Sequence, residues 1–197
     1  MVRGSKFDQA EFVDAALALL CEGGPSAVTM AAIARRSGAP TGSIYHRFPS
    51  RSAVVAAAWL NALTAFADHV EAALAGSPAA AAASLIAWAR ARPREAKALF
   101  LNEPASLFDS APPDDLSAAI RIQEARIERA FEARLGAEAD RAEAFARLRF
   151  ATIDGPAALI RPYLQSGEAI PVFVDGLAAD LRRLTDDRAS VSARAAE

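Results

Sequence analysis

The stretch Val28-Thr29-Met30-Ala31-Ala32-Ile33-Ala34-Arg35-Arg36-Ser37-Gly38-Ala39-Pro40-Thr41-Gly42-Ser43-Ile44-Tyr45-His46-Arg47-Phe48-Pro49-Ser50-Arg51 decides how this chain is read. It predicts two very short helices, at about 29–36 and 40–46, joined by a glycine turn and followed at once by the start of another. Thr29 can accept a hydrogen bond from the free N–H groups of the first of them. Gly38 supplies the sharp turn, and Pro40 is tolerated in the first turn of the next helix. Ile33, flanked by the small Ala31, Ala32 and Ala34, suits a helix pressed against others. A helix of about six residues is not stable alone, so something must select for it. The usual reason is insertion into the major groove of DNA.

Working outward, the pattern begins with Phe12, Ala15, Ala16, Leu19 and Gly23 and runs through Thr29, Ile33, Ala34 and Gly38. It continues with Gly42, Ser43, Ile44, Tyr45, Phe48, Pro49, Ser50 and Arg51. This ordered set, from Phe12 to about Val55 and so roughly a quarter of the chain, resembles the tetracycline-repressor (TetR) family of bacterial transcription regulators. The remaining three quarters carry no recognisable motif, as that family's variable ligand-binding part implies.

The resemblance implies which residues meet DNA. Arg51 stands where the family usually carries a lysine on the DNA backbone, and Tyr45 matches its phosphate-contacting tyrosine. Thr29, Pro40, His46 and Arg47 are expected on the same face. The first turns of the second and fourth helices add unsatisfied N–H groups and a positive dipole end, which suit phosphate oxygens. Thr41, Gly42 and Ser43 open the recognition helix, where small residues allow close approach and a hydroxyl can read several bases or meet a thymine methyl. Many relatives have a lysine at the position of Thr41, and some an arginine at that of Ala31. Both departures point to reliance on DNA shape, phosphates and water.

Composition agrees with a helical protein. Of 197 residues, 53% are hydrophobic, lysine occurs only at Lys6 and Lys97, and β-branched runs are nearly absent. Net charge is −2, which excludes a bulk polycation. Residues 1–51 hold six basic and four acidic groups, whereas the remainder holds 16 and 20, so the basic end is the end with the short helices. Cys21 is the only cysteine, which leaves no internal disulfide and points to a reducing compartment. The start of the chain lacks the apolar core of a signal peptide, and no run is expected to reach the 18 or so apolar residues of a membrane helix. The expected location is the cytoplasm.

Along the chain, Asp8 and Glu11 make a capping box for the first helix, and Gly23-Gly24 ends it. Ser50 caps a long helix at about 51–75, with Val55, Trp59, Leu63, Phe66, Val70 and Leu74 on one stripe. Further helices are expected at about 78–92, 94–102, 114–135, 138–165 with a kink at Gly155-Pro156, and 170–184. The expected domains are a helix-turn-helix domain at 1–50, a helical ligand-binding and dimerisation domain at 51–185, and a polar, mobile tail at 186–197. The fold class is all-α.

The larger part holds both tryptophans and seven of the ten phenylalanines. Trp59, Phe66, Trp88, Phe100, Phe108, Ile127 and Phe131 make a candidate pocket for a mostly apolar effector, although stripes of this kind also build cores. Gln123 lies within the Leu116–Ile120–Ile127–Phe131 stripe and needs a hydrogen-bonding partner, either a ligand or another part of the chain. The 138–165 helix has two apolar fronts. One of them, Phe150, Ile153, Ile160 and Leu164, joined by Phe173, Leu177 and Leu181, is the expected four-helix dimer interface about a two-fold axis. The same axis sets two recognition helices against a near-palindromic DNA site.

No catalytic residue, metal site or cofactor is expected. The two histidines, His46 and His69, have no histidine–carboxylate spacing suited to a metal, and no phosphate loop or nucleophile elbow occurs. Asp154 falls on a strip with Glu143, Arg147 and Arg161 that a solvated, ion-paired edge explains. The expectation is a homodimeric DNA-binding regulator, most simply a repressor released by its effector. The alternative is a helical ligand-binding protein or enzyme with a vestigial DNA-binding motif.

Overall fold

The computed structural model describes residues 8–76, 78–135, 141–180 and 183. The expected tail at 186–197, Leu181 and Leu184 lie outside the described residues. Those described form helices and connections, with no strand among them.

Helix α1, Gln9–Gly23, starts at Asp8, whose N–H donates to the Glu11 carboxylate at 3.1 Å, as the capping box requires. It buries Phe12, Val13, Ala16, Leu17 and Leu20. Gly23 is needed for close packing, because a Cβ there would stand 2.6 Å from that of Ala27. Helix α2, Met30–Ser37, is capped by Thr29, whose Oγ1 accepts from the Ala32 N–H at 3.1 Å. Gly38 closes it at φ +68°, in the left-handed region, and the Ala39 N–H reaches back to the Ala34 carbonyl at 3.0 Å. Helix α3, Thr41–Tyr45, is only five residues long. Ile44 and Phe48, 0% and 2% exposed, hold it to the rest of the head. Pro40 is the extended residue that leads into α3 and lies outside its first turn.

Helix α4, Arg51–Ala75, begins where Ser50 Oγ accepts from the Ala53 N–H at 3.2 Å. By length and composition it could cross a membrane, contrary to the sequence expectation, but 67% of its most apolar window is buried inside the chain. It is a core helix, and its apolar length is spent on packing.

Helices α5, Pro78–Ala91, and α6, Pro93–Leu101, are separated by a single residue, Arg92. A one-turn helix, α7, Pro104–Leu107, lies between the helices expected at 94–102 and 114–135, and α8 spans Asp114–Leu135. The segment expected as one helix is divided into α9, Arg141–Arg149, a π-helical turn at Phe150–Asp154, and α10, Gly155–Ser166. The break thus comes one turn before Gly155-Pro156. Pro156 has no N–H to give, and the chain meets this with a wider turn in which the Gly155 N–H bonds the Phe150 carbonyl. A last helix, α11, covers residues 173–180.

The chain forms two compact units that cut across the expected boundary at residue 50. The first comprises Met1–Ala65 and Arg94–Gln123, so the start of α4, α6, α7 and the first half of α8 pack with the short helices. The second comprises Phe66–Pro93 and Glu124–Glu197. In the second unit Arg126 clamps α8 to α4 through Glu71 at 2.6 Å and Asp68 at 2.7 Å, and it holds the Glu71 carboxyl below the usual range. Arg90 similarly fixes the start of α11, with both nitrogen–oxygen distances to Asp175 at 2.9 Å and the Pro171 carbonyl at 2.8 Å.

Candidate nucleic-acid interface and effector region

In the first unit the outer face of α3 is exposed. Pro40, Thr41, Gly42, Tyr45 and His46 are open to solvent, and Ser43 and Arg47 are half-buried. Tyr45 is 55% exposed, unusually open for an aromatic side chain. Gly42 is informative for a different reason. A Cβ added there would meet nothing within 4 Å, so the chain's own packing does not require a glycine. Bare backbone at the first turn of an exposed helix lets another surface come close.

Thr29 is exposed but already spends its hydroxyl oxygen on α2. Arg36 is held by a two-pronged bond to Glu22, at 2.5 and 2.6 Å, which lowers the glutamate's pKa. Arg35, beside it at the end of α2, is exposed.

Arg51 is not where the resemblance puts it. Its Nε donates to the Val28 carbonyl at 2.7 Å, its Nη2 to the Pro25 carbonyl at 2.6 Å, and its Nη1 to the Leu107 carbonyl at 3.0 Å. The side chain is 20% exposed. A guanidinium already forked over three carbonyls is committed to the fold, and the expected phosphate contact by Arg51 is corrected accordingly. Its neighbour Ser52, fully buried, donates to Asp109 Oδ1 at 2.5 Å and accepts from the Ser110 N–H and hydroxyl, each at 3.2 Å. That bond pulls the Asp109 carboxyl below its ordinary pKa. Sequence inspection missed this cluster because its members lie more than twenty residues apart across each contact and Arg51 bonds backbone carbonyls, which carry no residue signature.

The candidate effector residues are divided between the units. Trp59, Phe100, Phe108 and Gln123 belong to the first. There Trp59 is buried, with its Nε1–H meeting no hydrogen-bond acceptor among the described residues, while the other three are half-buried. Phe66, Trp88, Ile127 and Phe131 belong to the second. Phe66 and Trp88 lie 5.3 Å apart, and the fully buried Phe131 meets Phe145 at 5.4 Å.

His69 is part of the aromatic cluster, stacked on Trp88 at 5.7 Å. Burial pushes its pKa down. Ser84 Oγ donates to the Ala81 carbonyl at 2.6 Å and lies 3.4 Å from Nε2 of His69. A cavity of about 10 Å³ lies against His69, Leu74, Leu85, Thr152 and Ile153, bringing the π-helical turn beside the imidazole.

Three of the residues expected at a subunit interface are corrected. Ile153, Ile160 and Leu164 are 7%, 0% and 4% exposed and pack within their own unit. The wheel that put them outward assumed a uniform α period, and the π-helical turn rotates every later residue relative to α9. Phe150, Phe173 and Leu177, at 45%, 63% and 44%, are exposed, as is the neighbouring Val172 at 80%. Among the described residues no group of three or more His, Cys, Asp or Glu side chains could hold a metal.

An all-helical chain whose amino-terminal unit sets a short, exposed helix on a glycine turn belongs to the class of helix-turn-helix proteins. Residues 12–58 match the family model for bacterial regulatory proteins of the tetR family. Beyond that match, the chain has the fold of the tetR-family transcriptional regulators to which it is similar. One similar solved structure is the transcriptional regulator FadR from Bacillus subtilis in complex with stearoyl-CoA, 14% identical, with a TM-score of 0.65 over 90% of this chain and 97% of that one. A TetR family transcription regulator from Marinobacter aquaeolei VT8 is 13% identical, with a TM-score of 0.62 over 90% and 94%. The multidrug binding protein EbrR complexed with imidazole is 20% identical, with a TM-score of 0.58 over 90% and 93%. No curated protein sequence matches the chain.

Proposed function

We propose that this protein is a ligand-responsive, DNA-binding transcription regulator of the cytoplasm, acting without catalysis as a homodimeric repressor released by a small effector. The observation that carries the reading is the outer face of α3, where Thr41, Gly42, Tyr45 and His46 are exposed and the bare Gly42 answers to no internal packing. Thr41 and Ser43 are the base readers, and Tyr45 and His46 meet the backbone, with Pro40, Arg47 and the Thr29 helix start beside them. Two such heads about a two-fold axis match a near-palindromic operator.

The effector is mostly apolar and carries at least one hydrogen-bond acceptor. The orphaned Trp59 Nε1–H supports this, because a buried indole N–H without a partner costs free energy that a ligand oxygen would recover. The bound stearoyl-CoA and imidazole of the similar structures lend further support, since one fold houses both a long acyl chain and a small heterocycle. The dimer interface uses the exposed Phe150, Phe173 and Leu177.

The test is an electrophoretic shift with duplexes from upstream of the protein's own gene, followed by a thermal-shift ligand screen. A shifted complex that a stabilising apolar compound dissolves is the expected result. A protein that shifts none of these duplexes would overturn the reading.

A further inference from the structure

We propose that residues 107–110 form a strap that keeps the DNA-reading head in its binding form, with Arg51 and Ser52 as its two fasteners. The proposal rests on the DNA-binding reading above and assigns its regulation.

One guanidinium bridges two parts of the first unit. Toward the head, Arg51 bonds the carbonyls of Pro25 and Val28, which bracket the turn leading to Thr29, the cap of α2. Toward the strap, it bonds the Leu107 carbonyl and lies 3.7 Å from the Asp109 carboxylate. Because the guanidinium is planar and rigid, three acceptors on one fork fix the Pro25–Val28 turn relative to Leu107. The second fastener meets the first at the Asp109 carboxylate. Ser52 has no exposure, and its hydroxyl is saturated by one bond given to Asp109 and two accepted from Ser110. Between the two fasteners the Leu107 side chain is itself completely buried.

The strap therefore docks through a carbonyl, a buried leucine and a hydroxyl–carboxylate set within four consecutive residues. Unfastening it removes the frame of the turn before α2. Helix α3 is too short to hold its own conformation and depends on α2. Loss of the strap thus reaches the reading face without altering any side chain that touches DNA. An effector that favours the unfastened form releases DNA by population shift.

The test uses the full-length protein, a fluorescent upstream duplex and two variants. Asp109 is 59% exposed, so Asp109→Ala removes a fastener without leaving a buried charge behind. Ser52→Cys with Ser110→Cys, in a Cys21→Ser background, permits a reversible lock, because the two hydroxyl oxygens are 3.2 Å apart. Asp109→Ala is expected to weaken DNA binding about tenfold with an unchanged salt slope, and to speed hydrogen exchange at the amides of residues 26–29. The oxidised double-cysteine protein is expected to bind DNA at least as tightly as when reduced. Wild-type affinity and exchange in Asp109→Ala, or loss of DNA binding on oxidation, overturns the strap. If the wild type binds no upstream DNA, the regulatory reading falls, and the exchange comparison still decides whether Asp109 holds the turn.

Discussion

The Nε of Arg51 donates to the Val28 carbonyl at 2.7 Å, and that bond makes a side chain expected on DNA part of the head's own frame. Arg51→Ala leaves the Pro25, Val28 and Leu107 carbonyls without their shared donor. The expected cost is about 2 kcal/mol, or roughly 4–8 °C in Tm for a chain of this size. Arg51→Lys recovers less than half, because an ammonium cannot fork to three carbonyls in one plane. Thermal unfolding followed by circular dichroism checks both. An Arg51→Ala protein with wild-type Tm would return this side chain to the DNA surface.

Gly38 stands at φ +68°, where a side chain is strained whatever the space around it. Gly38→Ala should cost about 1 kcal/mol or more by denaturant unfolding. Gly42→Ala meets no atom within 4 Å and should leave stability unchanged while weakening DNA binding. A stability loss at Gly42 as large as that at Gly38 would mean that its smallness serves the fold.

His69 makes stability depend on pH. Burial lowers its pKa in the folded protein below the ordinary 6.5, so between the two values the unfolded chain binds more protons. The contribution is fully present above 6.5 and is lost as pH falls through that value toward the folded pKa. Tm should drop between pH 7.5 and 5.5, and His69→Phe should flatten that part of the profile, which a series of thermal melts would read. An unaltered profile in the variant would assign the slope to other groups.

Cys21 donates to the Arg94 carbonyl at 3.1 Å, and burial pushes its thiol up to about 11, against the pull of Lys97 and Arg94. With so little thiolate at pH 7.5, alkylation of the native protein by iodoacetamide should be far slower than in urea. Equal rates, followed by mass spectrometry, would show the thiol to be activated.

Short-range chemistry made much of the fold legible in advance. Thr29, Gly38 and Ser50 act within three or four residues of themselves, so their capping and turn roles could be read from spacing alone. Arg51 could not be read this way, because its partners are carbonyls brought together only by tertiary packing. The interface residues after Asp154 failed for another reason. One wider turn before Pro156 displaced the helical wheel on which Ile160 and Leu164 had been placed outward.

The exposed Phe173 and Leu177 bear on assembly. Phe173→Arg with Leu177→Arg should give a folded protein of monomer mass by light scattering at micromolar concentration, with DNA affinity reduced at least tenfold through loss of the second head. A dimer in this variant would put the interface elsewhere.

The most direct measurement is the salt dependence of binding to the protein's own upstream duplex, by fluorescence anisotropy, for wild type, Tyr45→Ala and Arg51→Lys. Wild type should bind with a steep negative slope of log affinity against log salt, retained in Arg51→Lys. Tyr45→Ala should bind more weakly at every salt concentration. No binding by the wild type, or Tyr45→Ala binding as tightly as wild type, would contradict the assignment of this exposed face to DNA.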